Sequence, residues 1–334
     1  MCKKNKTLLI ASAVFLQCLT LAGICFQREL IVRHGDIVFM RTAPVDPRDL
    51  FRGDYVRLAY EVSNLPSKYV PGSEVEAMKE PEKKAYLSFT TDQRGVVTPL
   101  SLSLQKPCEG RFISGYTQRT WQKDTISVRF GIEKYFMQQK KGLVLERGES
   151  VEGVHIPLEM EVAVGKRSGI AVLKGYRYAD MGMGIQLPRN RRNNDNISFK
   201  IIIKVANASD KPLAIVDPED HSTFTIALTT NQYGSEGKLK LKHYPKDLAS
   251  FKESDVKLIK PQSVYSFELD LGTPDYQLVR GDKEISWQDM QWGERAQIVY
   301  NSPDVSMLKD FKHAESLWQG QLSSRSFTRA NFID

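Results

Sequence analysis

The chain has little of what most catalytic and metal centres are built from. Its five histidines, His34, His155, His221, His243 and His313, are scattered, and none stands at ligand spacing from another histidine or a cysteine, so no structural zinc is expected. Cysteine is as sparse: Cys2, Cys18 and Cys25 fall in or before one apolar stretch, leaving Cys108 alone in the rest. A single thiol forms no internal bridge, which excludes a disulfide-built scaffold. There is no Gly-x-Ser-x-Gly elbow and no His-Glu-x-x-His pair, and residues 27 to 50 contain no serine. Nothing in the residues points to a cofactor. Basic side chains are plentiful, giving a net charge of +7, but they alternate with acids and are not interleaved with stacking aromatics, which argues against nucleic acid as a partner.

What is present begins with a membrane signal. Lys3, Lys4 and Lys6 precede "TLLIASAVFLQCLTLAGICF", residues 7 to 26, which carry no charged side chain. Twenty residues at a rise of about 1.5 Å just cross a hydrocarbon layer about 30 Å thick, and the positive-inside rule keeps the lysines cytoplasmic. The rest of the chain then lies outside the cytoplasm, which makes the protein a single-pass, signal-anchored membrane protein. A cleaved signal peptide has the same basic and apolar parts, but Ile24, Cys25 and Phe26 prolong the run past "LAG", where a small-x-small exit would end it. A lipidated Cys25 is a third option, weakened by Ile24 at a position that calls for a small residue.

Beyond residue 36 the apolar pattern alternates. "DIVFMRT" (36–42), "DYVRLAYEV" (54–62), "AYLSFTT" (85–91), "TISVRFGI" (125–132), "GLVLER" (142–147), "MEVAVG" (160–165) and "IAVLKGYRY" (170–178) are short, rich in β-branched and aromatic residues, and bounded by turn formers. This predicts a β-rich barrel or sandwich with few helices; "IEKYFMQQ" (132–139) is the one place with room for a helical turn or two. "PRNRRNNDN" (188–196) cannot pack a core and reads as an exposed linker. From residue 197 the alternation resumes in seven or eight strands, an immunoglobulin-like β-sandwich without the Cys-Trp-Cys core of antibody domains. The expected organisation is a tail and transmembrane anchor (1–27), a β domain (28–187), the linker (188–196) and the sandwich (197–334).

The most specific stretch is "PVDPRDLFRGDYVRLAYEVS" (44–63). Val56, Leu58, Tyr60 and Val62 fall on one face of the expected strand. Ahead of it, Asp46, Asp49 and Asp54 meet Arg48 and Arg52 around Gly53, a turn residue. Such forks brace a corner as readily as they run acid–base chemistry or bind calcium, and the arginines set among the carboxylates would repel a divalent ion. The structural corner is the preferred reading.

"GDYVRLAY", Gly53 to Tyr60, resembles the pattern for which the GDYXXLXY protein family is named. "RFGIEKYFMQQKKGLVLE" (129–146) is similar to that family's second block, with Gly131, Glu133, Tyr135, Phe136, Gly142 and Glu146 at the matching positions, and "MEVAVGKRSGIAVLKG" (160–175) to its closing hairpin. The resemblance covers residues 8 to 178. It implies an N-terminal membrane segment and an outward-facing domain, encoded beside multi-pass membrane proteins, with no assigned reaction; the long C-terminal extension departs from it. The site candidates are therefore Asp46, Arg48, Asp49, Arg52, Gly53, Asp54, Tyr55, Tyr60, Glu133, Tyr135 and Glu146, with Glu133 expected to pair with an arginine of the first block. The partners expected are the lipid bilayer of the inner membrane and a multi-pass membrane protein.

Two function classes follow. One is a membrane-anchored periplasmic binding or assembly module. The other is an envelope hydrolase of the signal-peptidase type, for which Ser-x-x-Lys occurs at Ser103/Lys106 and at Ser254/Lys257. The missing serine beside the anchor favours the first, and with it a protein that is not an enzyme.

Overall fold

The computed structural model describes residues 2–43, 55–120, 125–136, 148–187, 199–230, 239–242, 251–273, 276–280, 283–291, 294–304, 308 and 310–328. The expected strand at 142–147 and the expected linker at 188–196 lie outside them. Its content is mainly β behind one long N-terminal helix.

That helix, Cys2–His34, has 33 residues, and its part from Ile10 to His34 is long and apolar enough to cross a membrane. It runs about two turns beyond the apolar run, so that Ile31 is buried against the first β unit. Gly35 stops it: its N–H donates to the Ile31 carbonyl at 2.8 Å. A Cβ on Gly35 would stand 2.5 Å from that oxygen and 2.8 Å from the oxygen of Val164, so only glycine lets helix and sheet approach this closely. The first strand, Asp36–Ala43, follows immediately.

Two sheets build the first unit. One orders its strands Ala171–Tyr178, Leu158–Val164, Asp36–Ala43 and Ala59–Tyr60; the other orders Asn64–Pro66, Thr125–Arg129, Arg111–Gln118, Lys84–Thr91 and Val97–Ser103. The Phe39 N–H donates to the Gly95 carbonyl at 2.9 Å and joins their edges into a half-barrel. Period-2 alternation sends Val38, Met40, Met160 and Val162 inward to meet Leu87, Leu102, Ile113 and Ile126. Tyr60, Leu58 and Val62 join this core, as their shared face predicts. The expected single strand through them is broken, however. Tyr55–Arg57 pairs with Lys134–Phe136, whereas Ala59–Tyr60 pairs with the first strand, and a 3-10 turn follows at Glu61–Ser63. The same pairing corrects the helical expectation at 132–139: Lys134–Phe136 is extended because a strand partner takes up its backbone groups.

The second unit is a β-sandwich. Met181–Gln186, Lys200–Asn207 and Ser263–Asp270 form one sheet; Phe224–Thr230, Glu294–Asn301 and Gln321–Ser323 form another. Both contribute to a core that includes Ile201, Ile203, Leu269, Phe224, Ile298, Tyr300 and Trp318. Met181–Gln186 precedes the arginine-rich segment in sequence, yet it pairs with Lys200–Asn207 and its Met181, Met183 and Ile185 pack in this second core. A small hairpin, Glu149–Val151 with Val154–Ile156, packs its valines and isoleucine on Ala179 and Ala206, an apolar seam between the two units.

Candidate functional site

Of the residues singled out from sequence, Asp46, Arg48, Asp49, Arg52, Gly53, Asp54 and Glu146 lie outside the described residues. The others meet one another. Strand pairing sets the first block beside the second, with Tyr55 opposite Phe136 and Val56 opposite Tyr135. Gly131 turns the chain at φ +81°, a conformation that favours glycine. The carboxylate of Glu133 accepts the N–H groups of Phe130 (2.6 Å) and Gly131 (3.2 Å), capping that turn. Arg48 and Arg52 lie outside the described residues, and Arg57 sits exposed on the strand opposite Lys134, with no ion pair to Glu133 among the described residues. Tyr60, fully buried, donates its hydroxyl to the Ile132 carbonyl at 2.7 Å. Burial first, and the Glu133 carboxylate second, hold the Tyr60 hydroxyl far above its ordinary pKa, so it stays protonated and donating. Tyr135 packs edge-on against Tyr176, with ring centroids 6.1 Å apart. In these two blocks, therefore, the glycine, glutamate and tyrosine brace one turn against one strand.

A second cluster was not singled out from sequence. Glu159 has no exposed side-chain surface and sits on the middle strand of the four-stranded sheet. Register places Arg41 directly opposite on one neighbour and Arg177 directly opposite on the other, an Arg-Glu-Arg row across three strands. Arg177 Nε meets Glu159 Oε2 at 2.9 Å and Arg41 Nη2 lies 3.5 Å from Oε1. Arg94, from the turn between two strands of the other sheet, adds Nη2 to Oε2 at 3.1 Å. The Arg177 guanidinium lies 3.4 Å from the centroid of the Phe39 ring. A carboxylate removed this completely from water is tolerable only with such partners.

The same arginines reach the second unit. Arg41 Nη1 donates to the Gln321 carbonyl at 3.0 Å, Arg94 lies over the Trp318 ring at 5.6 Å, and Arg94 Nε stands 3.4 Å from Asp180. Glu159 thus fastens the first strand after the helix, the 92–95 turn and the C-terminal hairpin to one point. Glu61 borders the cluster. Solvent reaches it, but the surrounding protein desolvates its carboxyl and raises its pKa, against the attraction of Arg41 and with the repulsion of Glu159. The sequence signal was faint: one arginine among uncharged neighbours in each of "VFMRT" and "GYRY", and two alternating glutamates in "LEMEV".

A third polar centre lies in the sandwich. Asp217, buried, holds His221 Nδ1 at 2.8 Å through Oδ1 and accepts the Tyr265 hydroxyl at 2.7 Å through Oδ2. The His221 ring stacks on Phe267 with centroids 4.1 Å apart. The Ser-x-x-Lys pairs at Ser103/Lys106 and Ser254/Lys257 are occupied otherwise. Ser103 Oγ donates to the Glu74 carboxylate while Lys106 lies over the Phe112 ring; Lys257 donates to the backbone carbonyl of Ser254. Among the described residues, no group of three His, Cys, Asp or Glu is placed to hold a metal ion.

The chain is thus a mainly β protein behind a helix of membrane-crossing length, its two β units fastened at a buried ionic centre. Its residues 17–175 match the family model described as GDYXXLXY protein, a span that takes in the second half of the helix, the first β unit and both motif blocks. No curated protein and no solved structure matches the chain.

Proposed function

We propose that this protein is a membrane-anchored binding or assembly component of the bacterial envelope, with both β units outside the cytoplasm. The observation that carries the reading is the direct passage from helix to sheet at Gly35, continued through Arg41 to the C-terminal hairpin. A flexible tether would let the β units roam; this junction holds them at a fixed height and orientation over the bilayer, as docking on a membrane partner requires. The arginines around Glu159 are spent on one another's elements, which supports a scaffold rather than a reactive centre.

The test is affinity isolation of the full chain from membranes, with an export-dependent reporter fused after Asp334. A multi-pass membrane protein recovered in stoichiometric amount, with an active reporter, is the expected result. Recovery of the chain alone, or a silent reporter, would sink the proposal. One observation favours the alternative, an envelope hydrolase: Asp217 orients the His221 imidazole as a general base is oriented. Covalent labelling by a serine-directed probe, lost in His221→Gln, would decide for it.

A further inference from the structure

Resting on the membrane-anchor reading, we propose that the turn at Gly165–Gly169 is a contact site for anionic phospholipid headgroups, with Lys166 and Arg167 as its ligands for the lipid phosphates. The turn is built onto the helix where it leaves the bilayer. A Cβ on Gly165 would stand 3.2 Å from Ile31, so this backbone lies directly against the helix side. The apolar run ends at Phe26, five residues earlier, a rise of about 7 Å along the axis. The headgroup layer on each side of the hydrocarbon core is about 5 to 8 Å deep. Gly165 is therefore level with the headgroups.

The turn is also held rigidly. The Gly169 N–H donates to the Gly165 carbonyl at 2.7 Å, and the Gly169 carbonyl accepts the Ser114 N–H at 2.8 Å, which ties the tip to the five-stranded sheet. A Cβ on Gly169 would stand 2.5 Å from the Phe112 ring, so the tip has little room to move inward. Lys166 and Arg167 are both exposed. Lys166 has a loose ion pair with Asp36 at 3.7 Å, and Arg167 has none among the described residues. On the helix, Arg28 is a further exposed cation near the same level, whereas Arg33 is paired with Glu29 at 2.6 Å. Lys166 and Arg167, exposed at headgroup height and without a close internal ion pair, match anionic phosphate in both charge and position. A basic side chain next to an anionic membrane surface contributes about fivefold in affinity.

The experiment uses the full chain reconstituted into vesicles of phosphatidylcholine and phosphatidylglycerol at 7:3, then extracted with its surrounding lipid by a nanodisc-forming polymer. Mass spectrometry reads the ratio of the two lipids around the protein against the bulk. The parent enriches phosphatidylglycerol, and Lys166→Glu with Arg167→Glu lowers that enrichment about fivefold or more. Reconstitution in 1 M salt, where the screening length is about 3 Å, lowers it likewise. Lys283→Glu, on an exposed strand of the second unit, leaves it unchanged. Lys166→Gln with Arg167→Gln gives the same reading if charge reversal impairs folding. Equal ratios in parent and double variant, in a chain that floats with the vesicles, overturn the headgroup site and leave the anchor standing. A chain that does not float overturns both.

Discussion

Glu159 and Asp217 are both carboxylates with almost no exposed surface, one in each β unit, and they are kept there by different means. Glu159 is surrounded by permanent cations from three separate elements. Asp217 is held by a phenol from a neighbouring strand and by an imidazole four residues along its own turn. The first centre joins distant parts of the chain and the second mainly shapes a loop. Removing the charge of Glu159 leaves three guanidinium groups facing one another; removing that of Asp217 leaves neighbours that an amide can still partly satisfy.

That contrast ranks the expected effects. Glu159→Gln should cost about 3 to 5 kcal/mol, since it strands buried charge, and lower the melting temperature by about 10 °C. Trypsin should then cut first at Arg325, beside the freed Trp318–Ser323 segment. Asp217→Asn should cost less, about 1 to 3 kcal/mol, with new cleavage confined to the 217–223 turn when a glutamate-specific protease is used, since that turn holds Glu219 but no lysine or arginine. If urea titrations find the two variants equally destabilised, the distinction between a joining centre and a local one is wrong.

Arg177→Lys probes what the guanidinium adds beyond its charge. It keeps a cation near Glu159 but loses the planar contact with Phe39 and the second N–H, which donates to the Arg94 carbonyl at 2.9 Å. A loss of about 1 to 2 kcal/mol is expected by thermal or chemical melting. A lysine that restores full stability would show that charge alone holds the row together.

The smallest effect concerns Glu61. Its folded-state pKa is raised, chiefly by desolvation, above the unfolded value of about 4.3. The folded chain therefore holds this proton longer than the unfolded one. The associated stability is fully present below the unfolded value and is lost as pH rises through the folded one. Glu61→Gln should melt slightly above the parent at neutral pH, and the difference should close as pH falls below about 4. A variant less stable than the parent at pH 7 would show that attraction to Arg41 outweighs burial.

Much of this fold was legible because its cause is local. Twenty uncharged residues behind three lysines specify a long apolar helix whatever follows them. Alternation in "DIVFMRT" puts Val38 and Met40 on one face, and that face is the core. Leu58 and Tyr60 were readable as buried in the same way. The broken strand at 55–60 was not readable, because its halves answer to different partners, one at 134–136 and one at 36–43. The candidate site was legible only as motifs: Tyr60, Glu133 and Tyr135 could be named, but not the turn at Gly131 on which Tyr60 and Glu133 converge.

What the sequence by itself determined, then, is the kind of each element and the side it buries, since both follow from neighbours within a few residues. What only the tertiary structure decided is which charges meet. Arg41, Arg94, Glu159 and Arg177 each look like one more polar residue facing out from a strand or turn. Strand register sets three of them in a row, and the C-terminal hairpin closes over that row through Gln321 and Trp318. Glu159 meets Arg177 across a neighbouring strand pair, but Arg41 reaches Glu159 and Gln321 across more than a hundred residues, and no local pattern encodes those contacts.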